Sequence, residues 1–193
     1  MKIILRALYL PNFIERNVWE CEIPKQSHSL AAINFDRLTD SGIQGIIIDL
    51  DNTIISEDDR YMSPDAIAWI AQAKKLGLKL FILSNGKRHY RVRYWSDYLD
   101  IPAISPAKKP FPAAFCKAMA AMELAPERVV VIGDSLHTDI LGAWIVGCSH
   151  IQVASLPHPP RWWEKLIGKY VQTAYPVDRE LWEFQSSNYF KNN

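Results

Sequence analysis

The sequence predicts an α/β fold in three layers: one five-stranded parallel sheet, helices on both faces, and no cap domain. Three observations carry this. Short runs rich in Ile, Val and Leu recur, each followed by a segment with apolar residues at helical spacing, the pattern of repeated βα units. Those runs are nearly continuous rather than alternating, as expected of strands buried on both faces. Each of the main runs also ends in polar residues, and a parallel sheet gathers the carboxyl ends of its strands at one edge.

In chain order, residues 1–42 read as a lead-in packed on the core, 43–156 as the core itself, and 157–193 as an amphipathic helix and tail. Strands are expected at 45–50, 79–84, 103–105, 129–133 and 150–154. Ser63-Pro64 predicts an N-cap with Pro at the first helical position. The helix it opens would bury Ala66, Trp69, Ile70, Ala73 and Leu76, and Gly77 would end it. A second helix is expected over Lys87 to Leu99, a third burying Phe115, Met119 and Met122, and a fourth from Thr138 to Gly147. The stretch 54–62 is long enough for a flap and too short for an independent cap.

With 193 residues, 49% of them hydrophobic, one domain with a sizeable core is expected. A formal charge of +1 gives no global attraction to nucleic acid. Cys21, Cys116 and Cys148 form no CxxC pair. Cys116 and Cys148 fall in periodic apolar segments and read as reduced core thiols of a cytosol-like compartment. Neither a helix start nor a basic neighbour points to an activated thiolate. The N-terminal apolar run is interrupted by Arg6 and lacks a signal-peptide cleavage pattern. No run reaches the roughly 20 residues of a membrane span, so the chain is expected not to cross a membrane.

The chemistry begins at Asp49-Leu50-Asp51-Asn52-Thr53, directly after Gly45-Ile46-Ile47-Ile48. Two carboxylates two residues apart on extended backbone point the same way. Side by side they are costly unless a cation neutralises them or one takes up a proton, and Mg2+ suits a site of oxygen ligands. An Asp-rich turn explains the motif equally well by itself. Three later segments separate the two readings: Ser84-Asn85-Gly86 ends the run 79–83, Lys108-Lys109-Pro110 precedes a helix, and Gly133-Asp134-Ser135 through Asp139 ends the run 128–132. Carboxylates, a hydroxyl and an ammonium would then converge on one edge.

In these four motifs and their order the chain resembles the haloacid dehalogenase (HAD) superfamily of phosphohydrolases, over about residues 43 to 155. It looks most similar to the capless subfamily IIIA, with its YqeG-type proteins and mitochondrial phosphatidylglycerophosphate phosphatases. The resemblance implies a HAD-type Rossmannoid fold and a Mg2+-dependent phosphatase. Asp49 would be the nucleophile that forms an aspartyl-phosphate, and Asp51 the general acid/base, its backbone carbonyl also binding metal. Asp49 and Asp134 would complete the Mg2+ shell; Asp139 would act on the metal through water or hold Lys109. Lys109 would bind a phosphate oxygen and the Asp49 carboxylate, and is preferred to Lys108 because it directly precedes Pro110. Thr53, Ser84 and the backbone N–H groups of Asn85 and Gly86 would complete the phosphate site. His137 departs from the family pattern and reads either as a surface side chain or as a neighbour of the metal.

Two basic segments bear on the substrate. Lys87, Arg88, Arg91 and Arg93 form either a solvated helix face or an anion-docking surface. Arg161, Lys165 and Lys169 oppose Trp162, Trp163, Leu166, Ile167 and Tyr170, a division that suits either a membrane interface or a helix packed on the domain. The resemblance implies phosphatidylglycerophosphate as substrate, hence an anionic phospholipid partner and a peripheral place on a membrane in the cytoplasm or an organelle stroma or matrix. A soluble phosphorylated metabolite, a phosphoprotein, or a scaffold without catalysis remain alternatives, although a scaffold needs neither Asp49 nor Asp51.

Overall fold

The computed structural model describes residues 23–158 and the backbone of 182–183. The elements in chain order are β1 (Gln26–Ser27), α1 (Phe35–Asp40), β2 (Gly45–Ile48), β3 (Tyr61–Met62), α2 (Ala66–Lys75), β4 (Lys79–Leu83), α3 (His89–Leu99), β5 (Ala103–Ile104), α4 (Pro112–Met122), β6 (Val129–Gly133), α5 (Leu141–Val146), β7 (Ser149–Val153) and β8 (Trp182–Glu183). One parallel sheet runs β1-β7-β6-β2-β4-β5. It has six strands rather than five, because the lead-in contributes β1 at the edge beside β7. That edge pairing covers only two residues, too few to leave a recognisable apolar run.

Alternation along the strands divides the core into two faces. Ile46, Ile48, Leu80, Ile82, Val130 and Ile132 pack with Leu38, Trp69, Ile70, Val92 and Trp95, from α1, α2 and α3. Ile47, Phe81, Leu83, Val129 and Val131 pack with Phe115, Ala118, Met119 and Ala143, from α4 and α5. These two helix layers on one sheet are the three layers expected. Leu30, Ile33 and Leu38 of the lead-in are fully buried, and Phe35 stacks on Trp69, whose indole N–H donates to the Ile33 carbonyl at 3.0 Å.

The chain leaves β2 toward β4 and β5, then returns to the other side of β2 at β6. This reversal of winding opens a crevice at the carboxyl end of β2. Register aligns the three central strands there: Ile48 lies opposite both Ile82 and Ile132. Asp49, Ser84 and Asp134 therefore leave the sheet side by side. Next to them, residues 54–63 fold back as a small flap, with β3 pairing antiparallel to β8.

Several local expectations need correction. Ser63 is not a helix cap; α2 begins at Ala66 with Asp65 at its cap in the left-handed region, and Ser63 is buried behind it. Leu76 is 46% exposed rather than core, because it follows the last residue of α2. The second helix starts at His89, not Lys87. The fourth begins as a π-helical turn, Leu136–Ile140, before α5. Cys116 is exposed, while Cys148 is buried and its thiol is pushed up to about 12 by burial. Cys21 and the stripe 161–170 lie outside the described residues. Among those described, no helix is long and apolar enough to cross a membrane.

Candidate active site

Lys109 is the centre of the crevice's buried side. Its ammonium donates to Asp49 Oδ1 and to Asp139 Oδ1, each at 2.6 Å. Asp49 Oδ1 also accepts the Leu50 N–H at 2.8 Å. Asp134 stands beside them, with Oδ2 accepting the Ser155 hydroxyl at 2.7 Å and its carbonyl accepting the Gln152 amide at 3.0 Å. One oxygen from each of Asp49, Asp134 and Asp139 lies within 4.8 Å of the others, and all three residues are buried. Gly133 makes this closeness possible: a Cβ there would sit 2.4 Å from Asp139 Cγ.

Three buried carboxylates around one ammonium carry excess negative charge. Burial pushes the Asp49 carboxyl well above its usual range, against the opposing pull of Lys109. Burial and the nearby Asp139 push Asp134 up to about 7, partly offset by the Ser155 hydrogen bond. The two carboxylates hold Lys109 protonated despite its own desolvation. A divalent cation on Asp49 and Asp134 would relieve the imbalance, so this oxygen donor set fits Mg2+. Of the two readings of Asp139, the hold on Lys109 is the one seen directly. Its Oδ1 is taken by Lys109, and its Oδ2 accepts from the Ser135 N–H at 3.3 Å and the Thr138 hydroxyl at 3.2 Å.

The opposite wall is organised by Arg91, which sequence reasoning placed on a solvated or anion-docking helix face. It is 2% exposed, so neither reading holds for it. Nη1 donates to Asp51 Oδ1 at 2.5 Å, Nε to Asp59 Oδ1 at 2.7 Å, and Nη2 to the Ser56 carbonyl at 2.9 Å. Trp95 Nε1 donates to the same Asp59 oxygen at 3.0 Å. Ser84 is fully buried and donates to Asp51 Oδ2 at 2.7 Å, while accepting the Gly86 N–H at 2.9 Å. Its hydroxyl thus serves Asp51, not an approaching phosphate. A Cβ at Gly86 would press within 3.0 Å of that hydroxyl and 3.2 Å of Asp51 Oδ2.

Between the two walls lies an open cavity of about 550 Å³. Asp49, Asp51, Asn85, Gly86, Lys109 and Asp134 line it, as do Lys87 and Arg88 of the basic segment and Glu57 and Thr138, which the motifs did not single out. The Asn85 side chain faces the Lys109 backbone, accepting its N–H at 2.8 Å and donating to its carbonyl at 3.0 Å. It places the lysine. Thr53 does not line the cavity; it is 1% exposed and its hydroxyl is the one buried side-chain polar atom without a partner among the described residues. Lys108 is exposed, in the left-handed region at φ 55°. Arg93 is 87% exposed with only a 3.9 Å approach to Asp97. His137 is half-buried, 3.4 Å from the Ser135 hydroxyl. Ser155, Asp59 and Arg91 escaped sequence reading because they sit outside the motifs: Asp59 lies among Glu57, Asp58 and Arg60, and Arg91 among Arg88 and Arg93, where each reads as one more surface charge.

Comparison with known proteins agrees with this geometry. The family described as haloacid dehalogenase-like hydrolase matches residues 31–144. The chain is 37% identical over 139 residues to the "Probable phosphatase YqeG" of Bacillus subtilis, covering 72% of this chain and 73% of that protein. It is 28% identical over 120 residues to a phosphoserine phosphatase of Thermus thermophilus, covering 54% of this chain but 46% of that enzyme. Among solved structures, the D,D-heptose 1,7-bisphosphate phosphatase of B. bronchiseptica, complexed with magnesium and phosphate, shares the fold at a TM-score of 0.50 and 18% identity, over 58% of this chain and 82% of that one. With four ordered motifs meeting in one crevice and a match across most of the core, the chain belongs to the haloacid dehalogenase-like hydrolases.

Proposed function

We propose that this chain hydrolyses phosphate monoesters with Mg2+ through a phosphoryl group carried on Asp49, and that its natural ester is phosphatidylglycerophosphate. One observation carries the reaction class: Asp49 meets Lys109 and Asp134 at the floor of an open cavity whose rim holds Lys87 and Arg88. Asp49 Oδ1 is engaged by Lys109 and the Leu50 N–H, which leaves Oδ2 for phosphorus or metal. Asp49, Asp134 and the Asp51 carbonyl would hold Mg2+, which when bound supplies positive charge against the phosphoryl oxygens and keeps the acids ionised. Lys109 steadies the nucleophile and balances charge gathering on the phosphoryl oxygens. Asp51 gives a proton to the departing alkoxide and later takes one from water. Asn85 and Gly86 line the cavity beside Asp49, and the Gly86 N–H is given to the Ser84 hydroxyl.

The lipid substrate is supported by the resemblance to phosphatidylglycerophosphate phosphatases and by a cavity that no cap covers among the described residues. A large substrate at a membrane surface would supply the exclusion of water that a lid supplies elsewhere. A soluble metabolite is the second reading, favoured by the name of the Thermus thermophilus relative, a phosphoserine phosphatase. Purified protein is to be assayed on phosphatidylglycerophosphate in vesicles, phosphoserine and p-nitrophenyl phosphate, with Mg2+ or EDTA, alongside Asp49→Asn. Preferred turnover of the lipid, abolished by EDTA and by Asp49→Asn, is expected. Preference for phosphoserine selects the second reading, and activity retained by Asp49→Asn rules out the mechanism.

A further inference from the structure

We propose that Arg91 is a positioning residue for the proton-transfer step: it clamps Asp51 between α3 and the 54–63 flap and so aims the carboxyl at the ester's leaving oxygen. The inference rests on the phosphatase reading and deepens it. A buried guanidinium is costly unless its donors are met, and here each nitrogen has a protein acceptor. Nη1 holds Asp51, Nε holds Asp59, and Nη2 holds the Ser56 carbonyl. Although Arg91 borders the cavity, its donors are committed inward, which distinguishes it from Lys87 and Arg88 on the exposed rim.

The clamp joins three separate pieces of chain. Arg91 comes from the first turn of α3, Asp51 from the end of β2, and Ser56 and Asp59 from the flap. Trp95, one turn further along α3, donates to the same Asp59 oxygen, and Arg88 donates to the Glu57 carbonyl. Asp51 itself follows a strand end and precedes Asn52 at φ 62°, so no regular element fixes its side chain. Arg91 on Oδ1 and Ser84 on Oδ2 do so instead. With Oδ1 tied to the guanidinium, Oδ2, held in place by the Ser84 hydroxyl that donates to it, is the oxygen left to pass a proton. In the first half-reaction an Asp49 oxygen bonds to phosphorus, the ester P–O bond breaks, and the Asp51 proton passes to the departing alkoxide. In the second, Asp51 takes a proton from water as the water oxygen bonds to phosphorus and the P–O bond to Asp49 breaks.

A planar fork reaching two carboxylates and a carbonyl cannot be copied by an ammonium, so Arg91→Lys keeps the charge and loses the aim. Two esters then separate positioning from mere structure. The p-nitrophenolate group departs without a proton, whereas the alkoxide of β-glycerol phosphate needs one. With Mg2+ at saturation, Arg91→Lys is expected to lower kcat about 100-fold on β-glycerol phosphate, and less than about 5-fold on p-nitrophenyl phosphate, with KM unchanged on both. Asp59→Asn, which loosens the clamp from its far side without touching Asp51, is expected to show the same split at about 10-fold, and it serves if Arg91→Lys does not fold. Equal kcat losses on the two esters would make Arg91 purely structural and overturn the proposal, as would a rise in KM with kcat intact, the sign of direct substrate binding. Wild-type protein inactive on both esters, on phosphoserine and on phosphatidylglycerophosphate vesicles would instead remove the phosphatase reading on which the proposal rests.

Discussion

Lys109 and Arg91 face each other across the crevice, each with a side chain only 2% exposed and each bridging two carboxylates. Their surroundings differ in one respect that decides their roles. Around Arg91 the acceptors and donors match: Asp51 is met by Arg91 and Ser84, Asp59 by Arg91 and Trp95, and the last guanidinium nitrogen by a carbonyl. That cluster is complete and holds parts in place. Around Lys109 a third buried carboxylate, Asp134, joins the two that the ammonium bridges, and burial pushes both Asp49 and Asp134 above the ordinary carboxylate range. An under-compensated cluster is one that a metal ion or proton completes. The difference teaches which wall binds and which wall supports.

Removing the Lys109 ammonium tests that contrast most severely. Lys109→Met should lower kcat on p-nitrophenyl phosphate by about 10³-fold, since a preorganised charge beside the phosphoryl group is lost. It should also cost about 3–5 kcal/mol in urea unfolding of the metal-free protein, because two buried carboxylates lose their partner. Unchanged stability would mean that the Lys109 cluster is as self-sufficient as that of Arg91, and the contrast would collapse.

Proton linkage tests the same excess of negative charge without a mutation. Asp134 lies at about 7 in the folded chain against an ordinary 3.8, and Asp49 is shifted in the same direction. Between those limits the folded state binds more protons than the unfolded one, so stability falls as pH rises. Metal-free protein should therefore lose a few kcal/mol between about pH 5 and pH 8 in urea titrations. Saturating Mg2+ should flatten that slope, since a bound cation removes the reason for the acids to hold protons. A metal-free slope of zero or opposite sign would show that the cluster is balanced without metal.

A milder change probes the support behind Asp134. Ser155→Ala removes the hydroxyl on Oδ2, and outer contacts of this kind are worth about 10–100-fold in metal affinity. The apparent affinity for Mg2+, measured from the metal dependence of activity, should weaken by about 10-fold, with kcat at saturating Mg2+ nearly intact.

Ser155 and Arg91 also show where sequence reading stops. The parallel sheet, its central strands and the meeting of Asp49, Ser84 and Asp134 at one edge were legible because each sits where an apolar run ends and strand direction brings such ends together, while Lys109 was legible from its loop directly before a helix. Lys109 was separable from Lys108 by its place before Pro110. Arg91 was not legible: on a helix with Arg88 and Arg93 it reads as one more surface cation, and its burial depends on Asp59 reaching back from a flap 32 residues earlier. Strand β1 was equally hidden, since its two residues derive their place from β7 rather than from their own pattern. Ser84 was found, but its proton is directed by Asp51, a contact that depends on the flap and α3 having already fixed that carboxylate.

The smallest expected effect belongs to the neighbour that the crevice ignores. Lys108 lies one residue before the buried ammonium, exposed and in the left-handed region that disfavours a side chain. Glycine adopts that conformation without strain, so Lys108→Gly should leave kcat on p-nitrophenyl phosphate within about twofold. Relief of backbone strain and the greater freedom of the unfolded chain oppose one another, which confines the change in unfolding free energy to about 1 kcal/mol. An activity loss approaching that of Lys109→Met would mean that both lysines act on the phosphoryl group. The cation at the centre of the Asp49 cluster would then be a pair, and the charge imbalance that sets this wall apart from the Arg91 wall would shrink accordingly.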